Sequence, residues 1–210
     1  MEINFEHRTA AHCENGVTAN ILRYYGYDCS EPLVFGLSAS LYFVHLPFIR
    51  LSGFPVTSIR PLPGMIFTRA TQALGFKIQK KLFFIKRRAE EELDRLLDAG
   101  IPTGCIVGMY HLPYMPPEYR FPFNAHNICV TGREDGEYIV SDPVVSGKVR
   151  ISADDLRLAR FAREGYPVCG LLYHVRSLPD SPPDMNLAVR RAILQNCYRM
   201  LRQPGIAPFA

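Results

Sequence analysis

The 210-residue chain is 48% hydrophobic and 21% charged, a globular composition that excludes disordered, collagenous and low-complexity architectures. Its length suits one domain of ordinary size with a self-sufficient core. A formal net charge of +4 is too mild to argue for a nucleic-acid partner and tolerates an acidic one.

No window approaches 18 uninterrupted apolar residues, so no membrane span is expected. The acidic start Met1-Glu2-Ile3-Asn4-Phe5-Glu6 lacks the apolar stretch of a signal peptide. The six cysteines show no Cys-x-x-Cys and no Cys/His metal spacing, which reads as a reduced, cytoplasmic protein with no metal site and no cofactor. Oligomeric state has no signature in the sequence.

In chain order, helical spacing of Val17, Ile21, Tyr24 and Tyr25 predicts a first helix over 14–25, stopped by Gly26. Ser30-Glu31-Pro32 opens a second helix, expected to run to about His45 as a buried element. Prolines break 47–63 into short extended pieces. A helix follows at 64–74, then a strand at 76–79. An amphipathic helix over 86–99 turns Leu93, Leu96 and Leu97 inward, and a buried strand covers 103–110. The six Lys/Arg between Lys77 and Arg88 form a solvated face or, alternatively, a docking surface for an acidic carrier protein. Residues 111–123 form a proline- and aromatic-rich loop. A hairpin pairs 126–131 with 137–144, Ser152 caps a helix to about Phe161, and 168–175 is a final strand. Residues 1–176 thus read as one α+β domain, its N-terminal helices packed on a mainly antiparallel sheet. Residues 177–210 read as a proline-rich linker and a helix over 184–201. The apolar end at 205–210 is read either as a frayed terminus or as the start of a further domain.

Chemistry concentrates on three residues. Cys13 stands directly before the first helix, where backbone N–H groups and the helix dipole favour thiolate. His126 begins one strand of the hairpin and Asp142 lies near the end of its partner, the residue types that activate and orient a sulfur nucleophile. Taken singly, each has an ordinary structural explanation: a small buried thiol, a core histidine, an Asp-Pro turn. Their relative faces depend on the turn. A two-residue Asp135-Gly136 turn pairs Glu134 with Glu137 and sends His126 and Asp142 to opposite faces. A three-residue Glu134-Asp135-Gly136 loop pairs Arg133 with Glu137 and makes them diagonal neighbours. The apolar pattern (Ile128 and Val130 with Tyr138, Val140 and Val144) favours the three-residue loop.

The order Cys, His, Asp on a helix start and two paired strands resembles the papain-like cysteine peptidase fold. The stretches Phe5–Glu14, Leu22–Gly26, Ser30–Leu37, Tyr110–Tyr114 and His126–Gly132 through Asp142-Pro143 resemble the N-terminal domain family of butirosin biosynthesis protein H, over roughly 5–175. The resemblance implies a cysteine acyltransferase. Cys13 would take an acyl group from an acyl carrier protein or CoA thioester and pass it to an amine or hydroxyl of a small-molecule acceptor in a biosynthetic pathway. His126 would act as base and then acid, with Asp142 holding its tautomer. Papain-like enzymes place an oxyanion glutamine six residues before the cysteine. His7 stands there and is the first oxyanion candidate with the Cys13 backbone N–H, and His12 is the second. Tyr110, Tyr114 and Asn124, in and beside the aromatic loop, are candidate walls of a substrate pocket, the loop reading equally as packing that covers the sheet. A papain-like hydrolase (peptidase or thioesterase) and a non-catalytic binding domain of the same fold are the alternatives.

Overall fold

The computed structural model describes residues 1–41, 43–51, 53–163 and 167–202. The segment 205–210 lies outside the described residues.

Helix α1 (Cys13–Tyr24) is buried almost all round and forms the central post of the molecule. Val17, Ile21 and Leu22 are fully enclosed, and Gly26 at φ +88 ends it. Helix α2 (Glu31–Leu37) starts as expected, with Pro32 in its first turn and Ser30 accepting from the Leu33 N–H at 3.4 Å. It stops at Leu37 rather than near His45. Ala39 takes φ +45, and the chain then forms an exposed ribbon, β1 (Val44–Leu51) against β2 (Phe54–Ser58). The apolar run that reads as a buried helix is therefore a strand with β-branched and aromatic residues, a case where periodicity cannot arbitrate.

Helix α3 (Met65–Ala73) and edge strand β3 (Lys77–Lys81) follow, then α4 (Lys86–Asp98), with Leu93, Leu96 and Leu97 buried as expected. Strand β4 (Thr103–Val107) ends before a 3-10 turn at Met109–His111. Strands β5 (His126–Glu134) and β6 (Glu137–Ser141) make the hairpin. Strand β7 (Val149–Ser152), absent from the sequence reading, pairs with β6 and leads through the Ser152 cap into α5 (Ala153–Arg160). Strand β8 (Leu172–Ser177) returns to the sheet. The six strands lie in the order β3-β8-β4-β5-β6-β7, antiparallel at every pairing. This is the expected α+β class. Helix α6 (Met185–Arg202) lies against α2: Arg199 donates to the Ser38 and Ala39 carbonyls, and Asn196 accepts the Leu41 N–H. None of the described helices is long and apolar enough to cross a membrane.

The hairpin corrects the sequence reading in an instructive way. The turn is the two-residue one: Glu134 pairs with Glu137, and Asp135 and Gly136 take φ +52 and +81. The register then slips between Val130 and Gly132, so that Thr131 is the extra residue of a β-bulge. Beyond it Val130 pairs with Val140 and Cys129 with Ser141. That is the register a three-residue loop would impose near the site, so His126 and Asp142 still share a face. The N-terminal strand segment stitches the bulge: Ile3 N–H donates to Thr131 O at 2.8 Å, and Glu2 bridges Gly132. A side chain at Gly132 would meet the Glu2 Cα at 2.7 Å, so only glycine admits that approach.

Candidate active site

Cys13 is the first residue of α1, 9% exposed. Its loop is braced from α2, where the Glu31 carboxylate accepts the Ala11 N–H at 3.0 Å and the His12 N–H at 2.8 Å. Glu14, the next residue, is buried and accepts the Ile66 and Phe67 N–H groups at 2.8 and 3.1 Å, supplying α3 with the cap its own Gly64 lacks. Burial pushes the Glu14 carboxyl up from its ordinary range, while the α3 N–H groups and Lys80 oppose the shift. The nucleophile's backbone is thus anchored on both sides by carboxylates from α1 and α2.

The base arrives from the sheet. His126 opens β5 and Asp142 follows β6; both are buried, at 3% and 0% exposure. His126 Nε2–H donates to Asp142 Oδ2 at 2.7 Å, and the Cys13 side chain lies near enough to the ring to favour its protonated form. With Nε2 committed to the carboxylate, Nδ1 is the atom left for the sulfur. Burial alone would depress the imidazolium, but the bonds and charges of Asp142 and Cys13 outweigh it and raise His126 to about 10. Asp142 takes two further donors: Tyr114 OH on Oδ2 at 3.0 Å and the Val144 N–H on Oδ1 at 3.2 Å.

What lets the hairpin reach the helix is Gly16. A Cβ there would stand 2.6 Å from the Cβ atoms of both Ala10 and Pro143. Pro143 follows Asp142 directly, and its carbonyl accepts the Ala10 N–H at 2.8 Å. A glycine one turn into α1 is therefore the seat on which the Asp142-Pro143 corner rests.

The other candidates fall elsewhere. His7 Nε2–H donates to Val145 O at 3.0 Å, and Nδ1 bonds the Ser141 hydroxyl at 2.9 Å. With both nitrogens engaged it has no N–H to offer an oxyanion; it straps the N-terminal segment to the corner carrying Asp142. His12 is the N-cap of α1, its Nδ1 accepting the Asn15 N–H at 3.4 Å. The donors that remain beside Cys13 are the Cys13 and Glu14 N–H groups at the start of α1, which have no intrahelical acceptor. Of the expected pocket walls, Tyr110 is exposed with its ring edge on His111, Asn124 is buried against Gly108, and Tyr114 is turned to Asp142. The structural roles of Gly16, Glu31 and Thr131 have no sequence motif; only the fold reveals them. Among the described residues no cluster of three or more His, Cys, Asp or Glu is arranged to hold a metal ion.

The family model of butirosin biosynthesis protein H, N-terminal, matches residues 12–143, from the cap of α1 to the proline after Asp142. The chain belongs to that family. Among solved structures, a C39-like peptidase from Bacillus anthracis superposes with a TM-score of 0.61 at 14% identity, covering 86% of this chain and 100% of that one. The peptidase domain of Streptococcus ComA, a bifunctional ABC transporter of a quorum-sensing pathway, gives a TM-score of 0.49 at 18% identity over 84% and 100%. No curated protein sequence matches. The fold of this butirosin-biosynthesis-protein-H family member is that of the papain-like, C39-like peptidase domains, as the order of Cys, His and Asp leads one to expect.

Proposed function

We propose that the protein is a cysteine-dependent acyltransferase whose nucleophile is Cys13. The observation that carries this is a buried imidazole bonded to a fully buried Asp142, its pKa raised also by the neighbouring Cys13 at the mouth of α1. His126, held charged by Asp142, keeps the sulfur's proton, and the sulfur attacks the carbonyl of a thioester. As the tetrahedral oxyanion collapses, the donor thiol departs with the proton from His126. An S-acyl bond to Cys13 remains. An acceptor amine or hydroxyl then gives a proton to His126 and attacks the acyl group, and the returning proton releases Cys13. The Cys13 and Glu14 N–H groups at the start of α1 are the donors for the oxyanion in this scheme.

Membership in a family named for a biosynthetic protein supports transfer over peptide cleavage. A carrier-protein or CoA donor is supported by charge: between Glu31 and Glu90 the chain holds nine Lys or Arg and no Asp or Glu. In this reading residues 1–176 are the catalytic unit and 177–210 a linker and helix.

The C39-like fold favours one second reading, a hydrolase with water as acceptor. Incubation with acyl-CoA and acyl-carrier-protein thioesters, with and without an amine acceptor, separates the two. Transfer gives amide in excess over free acid. Free acid alone, at a rate unaffected by amine, assigns hydrolysis. Failure of every thioester and of peptide substrates to modify Cys13 leaves a binding domain.

A further inference from the structure

We propose that Tyr114 is a positioning residue of the triad: its phenol fixes the Asp142 carboxylate toward His126 and couples the base to the proline-rich loop. The proposal rests on the reading of Cys13, His126 and Asp142 as one nucleophilic unit.

Asp142 Oδ2 accepts from both His126 Nε2 and Tyr114 OH, while Oδ1 accepts the Val144 N–H. Three donors from three segments leave the carboxylate no freedom to rotate about its own axis. Asp142 itself has no solvent exposure, so a carboxylate that turned away would lose its partners with no water to replace them. Tyr114 is itself clamped. Leu112 and Met115 on either side are buried in the core. The Arg120 guanidinium donates to the carbonyls of Met115 (3.0 Å) and Pro113, closing the loop across the tyrosine. At the base of the loop Met109 N–H donates to Phe123 O at 3.0 Å. Burial and the Asp142 charge hold the phenol far above its ordinary ionisation range, so it stays a donor. The outer side of the same loop presents Tyr110, Tyr119, Phe121 and Phe123 to solvent. Through Tyr114, the loop that carries those rings is joined to the carboxylate that orients the base.

The test is the second-order rate of Cys13 alkylation by iodoacetamide at pH 7 in the full chain, read by peptide mass mapping so that the other cysteines are separated. This readout needs no knowledge of the acyl donor. Tyr114→Phe keeps the ring and removes only the hydroxyl. The expected result is a loss of about tenfold, the scale of one hydrogen bond to a charged group. It should come with a thermal midpoint lowered by no more than a few degrees and no further loss when added to Asp142→Asn. The His126 Nε2–H proton resonance, shared with Asp142, should also move in Tyr114→Phe. Wild-type reactivity in Tyr114→Phe, or the same factor lost in the Asp142→Asn background, overturns the role. A wild-type Cys13 no more reactive than the exposed Cys197 overturns the triad itself and the role of Tyr114 with it.

Discussion

A methyl group at Gly16 should disable the site far more than it destabilises the fold. Carbon atoms in contact ordinarily sit about 3.5–4.0 Å apart. The added Cβ would stand 2.6 Å from Pro143 Cβ, 2.8 Å from Pro143 Cγ and 2.6 Å from Ala10 Cβ. Something must yield by about 1 Å. Ala10 and Pro143 are tied to each other by a backbone hydrogen bond, so they give way together and carry Asp142 with them. Overpacking of this kind costs about 1–3 kcal/mol, and the helix preference of alanine over glycine returns about 1 kcal/mol. Gly16→Ala is therefore expected to lose no more than about 2 kcal/mol in urea unfolding. A misplacement of about 1 Å at the catalytic group is worth about 100-fold in rate. Gly36→Ala is the matched control, since a Cβ there meets nothing within 4 Å; it should gain a little stability and leave acylation untouched. Stability is read by urea titration and activity by the rate of Cys13 labelling with an acyl thioester. A folded Gly16→Ala protein that acylates at the wild-type rate would refute the argument that this contact sets the triad.

Two further outcomes follow from the same geometry. His126 binds its proton more tightly in the fold than in the unfolded chain, about 10 against 6.5. Its contribution to stability is thus complete below pH 6.5 and lost as pH climbs through about 10. Unfolding free energy measured from pH 6 to 10 should fall more steeply in wild type than in His126→Gln; parallel slopes would show that the imidazolium gains nothing from folding. Deleting Thr131 removes the bulge and, with the two-residue turn kept, moves His126 and Asp142 to opposite faces. Acylation should drop by at least about 1,000-fold, the scale of losing a triad member, in a protein that retains its sheet by circular dichroism; surviving activity would mean the register does not place the site.

Much of this arrangement is legible in the residues. The first helix with its Gly26 stop, and Cys13 at its start, are visible in the apolar spacing, and the apolar pattern of the hairpin puts His126 and Asp142 on one face. The turn itself reads wrongly: the apolar pattern favours a three-residue loop, whereas Asp135-Gly136 form the two-residue turn. What no local pattern announces is the bulge at Thr131, which repairs the register the turn would spoil; it depends on the N-terminal segment pairing from more than a hundred residues away. The second helix fails for a related reason. Leu41, Phe43, Val44 and Leu46 read as a buried helical run, whereas they belong to the approach and first strand of an exposed ribbon whose partner, not whose periodicity, decides its form. His7 illustrates a limit of position-based reasoning: it occupies the place of an oxyanion donor, yet Ser141 and Val145 claim both of its nitrogens.

The central claim is that one thiol among six is chemically set apart by an imidazole and a buried carboxylate. Peptide mapping after brief exposure of the intact protein to a limiting acyl thioester tests it most directly. The account predicts acyl mass on Cys13 alone, absent in Cys13→Ala and nearly so in His126→Ala. Acyl mass distributed by exposure, with Cys197 modified first and Cys13 labelled equally well without His126, would contradict it.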